Sequence, residues 1–147
     1  MPAINRSALV MFSAEQMYQL INDVVAYPQF LPGCSDSKIV ASTDNSMVAS
    51  LLVSKGGIKK WFTTENTLVT NQKISMTLKD GPFKRLVGHW VLTPLSDEAC
   101  KVSLDLDYEF SSTIIELAFG KVFNNLVNNM VLAFTSRAKE VYPINVT

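Results

Sequence analysis

The run Val102-Ser103-Leu104-Asp105-Leu106-Asp107-Tyr108-Glu109-Phe110 alternates strictly between apolar and polar side chains. An apolar stripe at steps of three and four follows it: Phe119, Val122, Phe123, Leu126, Met130, Phe134, Ala138 and Val141. A period of two describes a strand with one dry face, and a period of three to four describes a helix with one apolar side. A helix directly behind such strands must seal the dry face, and any volume that the side chains leave unfilled becomes a pocket. A helix over 112–140 would be roughly 40 Å long, against roughly 33 Å for a ten-residue strand, so it should span the whole sheet.

The rest of the chain supplies that sheet. Residues 3–11 read as a first strand, and Ser13 with Gln16 forms a capping-box pattern that opens a helix through about Asn22, with Met17, Leu20 and Ile21 on one face. The segment Tyr27-Pro28-Gln29-Phe30-Leu31-Pro32-Gly33-Cys34 cannot continue that helix, because each proline disfavours the helical region for the residue before it. It reads as a rigid aromatic corner. Six strands follow, near 38–43, 46–54, 58–69, 73–79, 84–94 and 100–110, separated by turn residues such as Lys55-Gly56-Gly57 and Asp80-Gly81-Pro82. Their spacing is that of a meander of hairpins. Without repeats, linkers or low-complexity tracts, residues 1–147 are expected to form one domain, a size at which folding buries roughly 68–70% of the unfolded chain's surface.

Charge is balanced overall, with 13 Lys+Arg against 13 Asp+Glu, so no whole-molecule field favours nucleic acid or membrane. It is uneven along the chain. From Lys38 to Arg85 there are eight basic and three acidic residues, whereas from Asp97 to Glu116 six acids face Lys101 alone. One part of the surface is therefore expected to be basic. Cys34 and Cys100 are far apart and lie in no metal-binding pattern, which points to two free thiols in a reducing cytoplasm. No segment approaches the roughly 18 apolar residues of a membrane span, so the expectation is a soluble cytoplasmic protein.

Catalytic constellations are hard to find. His89, the sole histidine, shares a strand face with Arg85, Val87 and Val91 rather than with Leu86, Trp90 and Leu92, and so should point away from any cavity. Asp105, Asp107 and Glu109 lie two apart on a polar face and read as solvated surface. The glycines suit hairpins rather than a phosphate loop, and no metal site is indicated. The aromatic residues belong by default to the core. A strongly bent sheet on one long helix, however, tends to leave an apolar lumen, which suits a lipid or polyprenyl chain better than a polar metabolite.

Several motifs in order carry a resemblance. Tyr27-Pro28-Gln29-Phe30-Leu31-Pro32-Gly33-Cys34, then Gly81-Pro82-Phe83-Lys84-Arg85-Leu86 with Trp90 and Thr93-Pro94-Leu95, then Leu106-Asp107-Tyr108-Glu109-Phe110, and finally Met130-Val131-Leu132-Ala133-Phe134 with Arg137-Ala138 and Val141-Tyr142 resemble the bacterial RatA-type proteins. These belong with the mitochondrial coenzyme Q-binding proteins in the START-like, polyketide cyclase/dehydrase and lipid transport superfamily. The resemblance implies an α+β helix-grip fold: a curved antiparallel sheet of about seven strands wrapped around a long C-terminal helix, with a hydrophobic cavity between. On the coenzyme Q side it implies a non-enzymatic carrier of ubiquinone or another isoprenoid lipid that supports respiration. On the bacterial side it implies a ribosome association toxin that binds the large ribosomal subunit and blocks subunit joining. The catalytic side chains of true cyclases cannot be matched here, which leaves an enzyme of that type as a third reading.

The carrier reading is the leading one, with the ribosomal reading as its alternative, and it places Tyr27, Phe30 and Leu31 at the cavity mouth and Phe62, Leu78, Phe83, Trp90, Leu104, Phe119, Phe123 and Met130 in its lining. Strand phase favours Leu78, Trp90 and Leu104, whereas Phe62 shares a face with Lys60. No cofactor is required, and the ligand would be ubiquinone or a related isoprenoid lipid. Each buried CH₂ contributes about 0.8 kcal/mol, so affinity should follow the tail. The ribosomal reading uses Lys55, Lys59, Lys60, Lys84 and Arg85. A transient membrane-surface contact is a further expected partner, DNA is not, and the chain is expected to be a monomer.

Overall fold

The computed structural model describes residues 3–142. In chain order these are β1 (Ala3–Val10), α1 (Ala14–Asn22), a 3-10 helix (Val24–Gln29), β2 (Cys34–Ser42), β3 (Ser46–Lys55), β4 (Ile58–Val69), β5 (Lys73–Asp80), β6 (Phe83–Ser96), β7 (Ala99–Phe110), α2 (Thr113–Asn128) and α3 (Met130–Val141). The strands form one antiparallel sheet in the order β1-β7-β6-β5-β4-β3-β2. The meander read from the sequence is therefore present, with β1 added beside β7 and β2 at the far edge. The fold is α+β helix-grip: a curved sheet whose inner face is covered by α1, α2 and α3.

Local chemistry sets the element ends. The Ser13 hydroxyl accepts from the Gln16 N–H while Gln16 Oε1 accepts from the Ser13 N–H, the reciprocal cap expected for α1. The corner is more ordered than the prolines suggest, because Val24–Gln29 winds as a 3-10 helix with Pro28 inside it. Its hydrogen bonds lie on either side of the proline, Ala26 N–H on Asp23 O at 3.1 Å and Phe30 N–H on Tyr27 O at 3.2 Å, and neither needs the N–H that Pro28 lacks. β2 begins at Cys34 rather than near residue 38, since Cys34 already pairs with Val53, and it carries bulges between Cys34 and Asp36 and between Ile39 and Ala41.

One expectation is corrected. The helix over 112–140 is two helices, broken at Asn129, whose φ of −101° and ψ of 0° depart from helical values. The Asn129 N–H reaches Asn125 O at 3.2 Å, and its side-chain Nδ2 donates to the same carbonyl at 2.8 Å. The side chain thus competes for a carbonyl that the helix would otherwise use. Hydrogen bonding resumes immediately, with Ala133 N–H on Asn129 O at 2.9 Å, so the apolar stripe runs on across the break.

Two aromatic clusters brace the sheet against the helices. At one end Phe83 meets Phe62, Tyr108, Phe110, Phe119 and Phe123 with ring centroids 4.8–6.3 Å apart. At the other, Phe134 of α3 stands edge-on to Tyr27, Phe30 and Trp90 at 5.2, 5.3 and 5.4 Å. Edge-to-face contacts at these distances add to what burial alone supplies.

Candidate functional site: an apolar cavity and a basic hairpin

Between the two aromatic clusters lies a cavity of about 50 Å³. Its sheet wall comes from Ala49 and Leu51 on β3, Phe62, Thr64 and Asn66 on β4, Met76 on β5, Leu86 and Trp90 on β6, and Leu104 and Leu106 on β7. Phe123, Leu126, Val127 and Met130 of the helices close it, with Val24 and Tyr27 at one side. No charged side chain lines it.

The lining is explained by strand phase and by small residues. Ala49 is the register partner of Thr64, and its short side chain leaves space on the inner face. A Cβ on Gly88 would stand 2.5 Å from Leu106 Cδ1 and 3.0 Å from Met76 Cε, so only a bare backbone lets those two side chains close over β6. Phe62 is 8% exposed and lines the cavity, while Lys60 two residues before it is exposed, because β4 runs out past the core there.

Of the residues expected at the cavity, the structure brings Tyr27, Phe62, Trp90, Leu104, Phe123 and Met130 together around it. The remaining five lie elsewhere. Phe83 and Phe119 are packed in the first aromatic cluster, and Leu31 is buried in the corner. Phe30 lines a separate groove with Pro32, Leu132 and Arg137, where the guanidinium stacks 5.1 Å from its ring. Leu78 falls beyond the point where the β5–β6 ladder ends, at Thr77 and Val87, so Met76 takes the lining position instead. Thr64 and Asn66 were missed because they are polar, although each continues the alternation of Phe62.

Both polar side chains are 7% exposed, and the Thr64 hydroxyl donates to Asn66 Oδ1 at 2.8 Å. The Tyr27 hydroxyl is committed to the Ile21 carbonyl. Burial, with Cys34 and Asp23 nearby, pushes the Tyr27 phenol well above its ordinary range.

The volume restricts what fits. An engineered apolar cavity that takes benzene is about 150 Å³, so about 50 Å³ holds only a few waters unless the walls part. A quinone ring with its prenyl tail is far larger. The flexible side chains of Met76 and Met130 are the parts of the wall best able to yield.

The basic residues divide into two sets. Lys84 Nζ lies 3.9 Å from Glu109 and Arg85 Nη2 lies 2.6 Å from Asp107, so acids on β7 offset their charge. Lys55, Lys59 and Lys60 on the β3–β4 hairpin are exposed and form no ion pair among the described residues. Beside them Trp61 is 39% exposed, with Lys38 Nζ 4.8 Å from its ring. His89 points away from the cavity, as its strand phase requires, and meets Ser75 Oγ at 3.1 Å on the outer face. Among the described residues no cluster of His, Cys, Asp and Glu could hold a metal, and no helix is long and apolar enough to cross a membrane.

Comparison with known proteins agrees with the geometry. The chain is similar to the ribosome association toxin RatA of Escherichia coli (strain K12), with 62% identity over 97% of this chain and 90% of the relative. More distantly, it is similar to the mitochondrial coenzyme Q-binding protein COQ10 homolog B of Xenopus laevis, with 28% identity over 94% of this chain and 58% of that one. Among solved structures, the Zhui aromatase/cyclase from Streptomyces sp. R1128 superposes with a TM-score of 0.79 over 97% of this chain and 96% of its own, at 18% identity, which is a likeness of fold. Residues 10–135 match the sequence profile of one family along most of the chain, and from this match and the close relative together the chain belongs to the polyketide cyclase/dehydrase and lipid transport family, among its RatA-type proteins.

Proposed function

We propose that this chain is a non-enzymatic binding protein that associates with the large ribosomal subunit and hinders its joining with the small one. The observation that carries the reading is the β3–β4 hairpin, where Lys55, Lys59 and Lys60 are free of ion pairs among the described residues and stand beside Trp61, which is 39% exposed. Cations of this kind neutralise backbone phosphates, and an exposed ring can stack on an unpaired base. The name of the close relative from Escherichia coli, a ribosome association toxin, supports association with the ribosome. The test is co-sedimentation with purified large subunits across a salt series. Three phosphate contacts give a log–log slope of roughly −2 to −3. The triple variant Lys55→Glu, Lys59→Glu, Lys60→Glu should lose co-sedimentation while keeping the melting temperature. It should also stop inhibiting reassembly of whole ribosomes from subunits. Unchanged binding by that variant would remove the hairpin from the interface.

A second reading, binding of an uncharged hydrophobic ligand such as an isoprenoid quinone, is favoured by the apolar cavity, which no charged side chain lines. Its volume means that such a ligand enters only when the walls part. Mass spectrometry of an organic extract of freshly purified protein tests for it directly.

A further inference from the structure

Asparagine is a poor choice for the inner face of a strand, yet Asn66 sits there between its register partners Met47 and Met76. An aliphatic side chain in its place would fill the cavity and bury no polar atom. Asn66 instead carries a nine-tenths buried amide into a wall that is otherwise almost entirely apolar. The Thr64 hydroxyl donates to its Oδ1 at 2.8 Å, which fixes the amide plane and leaves the Nδ2 hydrogens without a protein acceptor among the described residues. Nδ2 keeps some accessible surface rather than being sealed off, and a donor left unmet in so apolar a lining forgoes about what a good hydrogen bond contributes. The other polar group in the lining, the Tyr27 hydroxyl, already has its acceptor.

We propose that Asn66 is the recognition group of the cavity: oriented by Thr64, its side-chain NH₂ donates to a carbonyl-type oxygen on a small uncharged apolar ligand. The inference rests on the ligand reading of the cavity and adds the chemistry of what is read there. A carboxylate or phosphate is excluded, because no cation lines the cavity to compensate a buried anion. A pure hydrocarbon would leave the donor unmet. A neutral ligand with one accepting oxygen and an apolar body satisfies both walls. Water is the competing occupant, since roughly three to five molecules would fill this volume.

The test uses acetophenone and ethylbenzene, which are alike in size, differ at one oxygen and enter as the Met76 and Met130 side chains yield, in an NMR titration of the full chain that follows the Asn66 NH₂ signals and the cavity methyls. Acetophenone loses more hydration than ethylbenzene, so the informative quantity is their affinity ratio, compared between proteins. The ratio should fall by about fivefold or more in Asn66→Leu. It should fall by less in Thr64→Val, where the amide stays but loses its orientation. In the wild-type chain acetophenone should move the Asn66 NH₂ protons downfield and ethylbenzene should not, a readout that holds even if Asn66→Leu fails to fold. Equal ratios in all three proteins, with an unmoved amide, would overturn the role of Asn66 and leave the cavity reading standing. Binding of neither probe, with the amide exchanging magnetisation only with water, would overturn both.

Discussion

The Tyr108 hydroxyl on β7 donates to Asn124 Oδ1 on α2, joining the inner face of the sheet to the helix that covers it. The ring itself is 1% exposed and stands edge-on to Phe83, Phe110 and Phe123. Tyr108→Phe keeps that packing and removes only the polar link. The expected loss is about 1–2 kcal/mol, or a fall in melting temperature of roughly 2–8 °C, read by circular dichroism. An unchanged midpoint would mean that the bond contributes nothing net.

Alkaline pH should destabilise the protein through two buried groups. Burial pushes the Tyr108 phenol up from 10.0 to about 12. It pushes the Cys34 thiol up from 9.0 to about 11, with the Asp36 backbone partly opposing it. Both groups ionise more readily in the unfolded chain, so their contribution is complete below about pH 9 and is lost as pH rises through about 12. Melting temperatures should be level from about pH 7 to about pH 8 and fall above about pH 9. A level profile to pH 11 would contradict the burial of both side chains.

Cys34 and Cys100 are buried and unpaired. Thiol titration without reductant should find both in denaturant and neither promptly in the native state, because burial raises both thiols and holds back the reactive thiolate. A mass lower by two hydrogens, with no reactive thiol, would show a disulfide instead.

Leu104 and Val87 lie on opposite faces of the sheet, 1% and 38% exposed. Leu104→Trp overfills a cavity of about 50 Å³ and should cost about 1–3 kcal/mol as well as abolish binding of small apolar probes. Val87→Trp should stay within about 0.5 kcal/mol and spare binding. Denaturant titration alongside the probe titration separates the two effects.

Strand phase was the legible part of this chain. The alternation from Val102 to Phe110 placed Leu104 inward and the acids outward, and the same rule turned His89 away from the cavity. Periodicity was blind to what does not change it. The break at Asn129 leaves the apolar stripe intact, so nothing in residue spacing announced it. Leu78 had the right phase but stood past the end of the β5–β6 ladder, a matter of pairing rather than of local sequence. Thr64 and Asn66 had the right phase too, and residue type alone hid them. The charge of Lys84 and Arg85 was visible, whereas their neutralisation by Glu109 and Asp107 required the register of β6 against β7.

The two bulges of β2 have a consequence for how chains meet. β2 is an outer strand of the sheet, and Ile39 and Val40 on it are exposed. A flat row of spare N–H and C=O groups there would template the same strand of a neighbouring chain. The irregularities at Cys34/Asp36 and Ile39/Ala41 each shift the ladder, so an incoming strand finds no long stretch in register, which disfavours the growth of an extended intermolecular sheet.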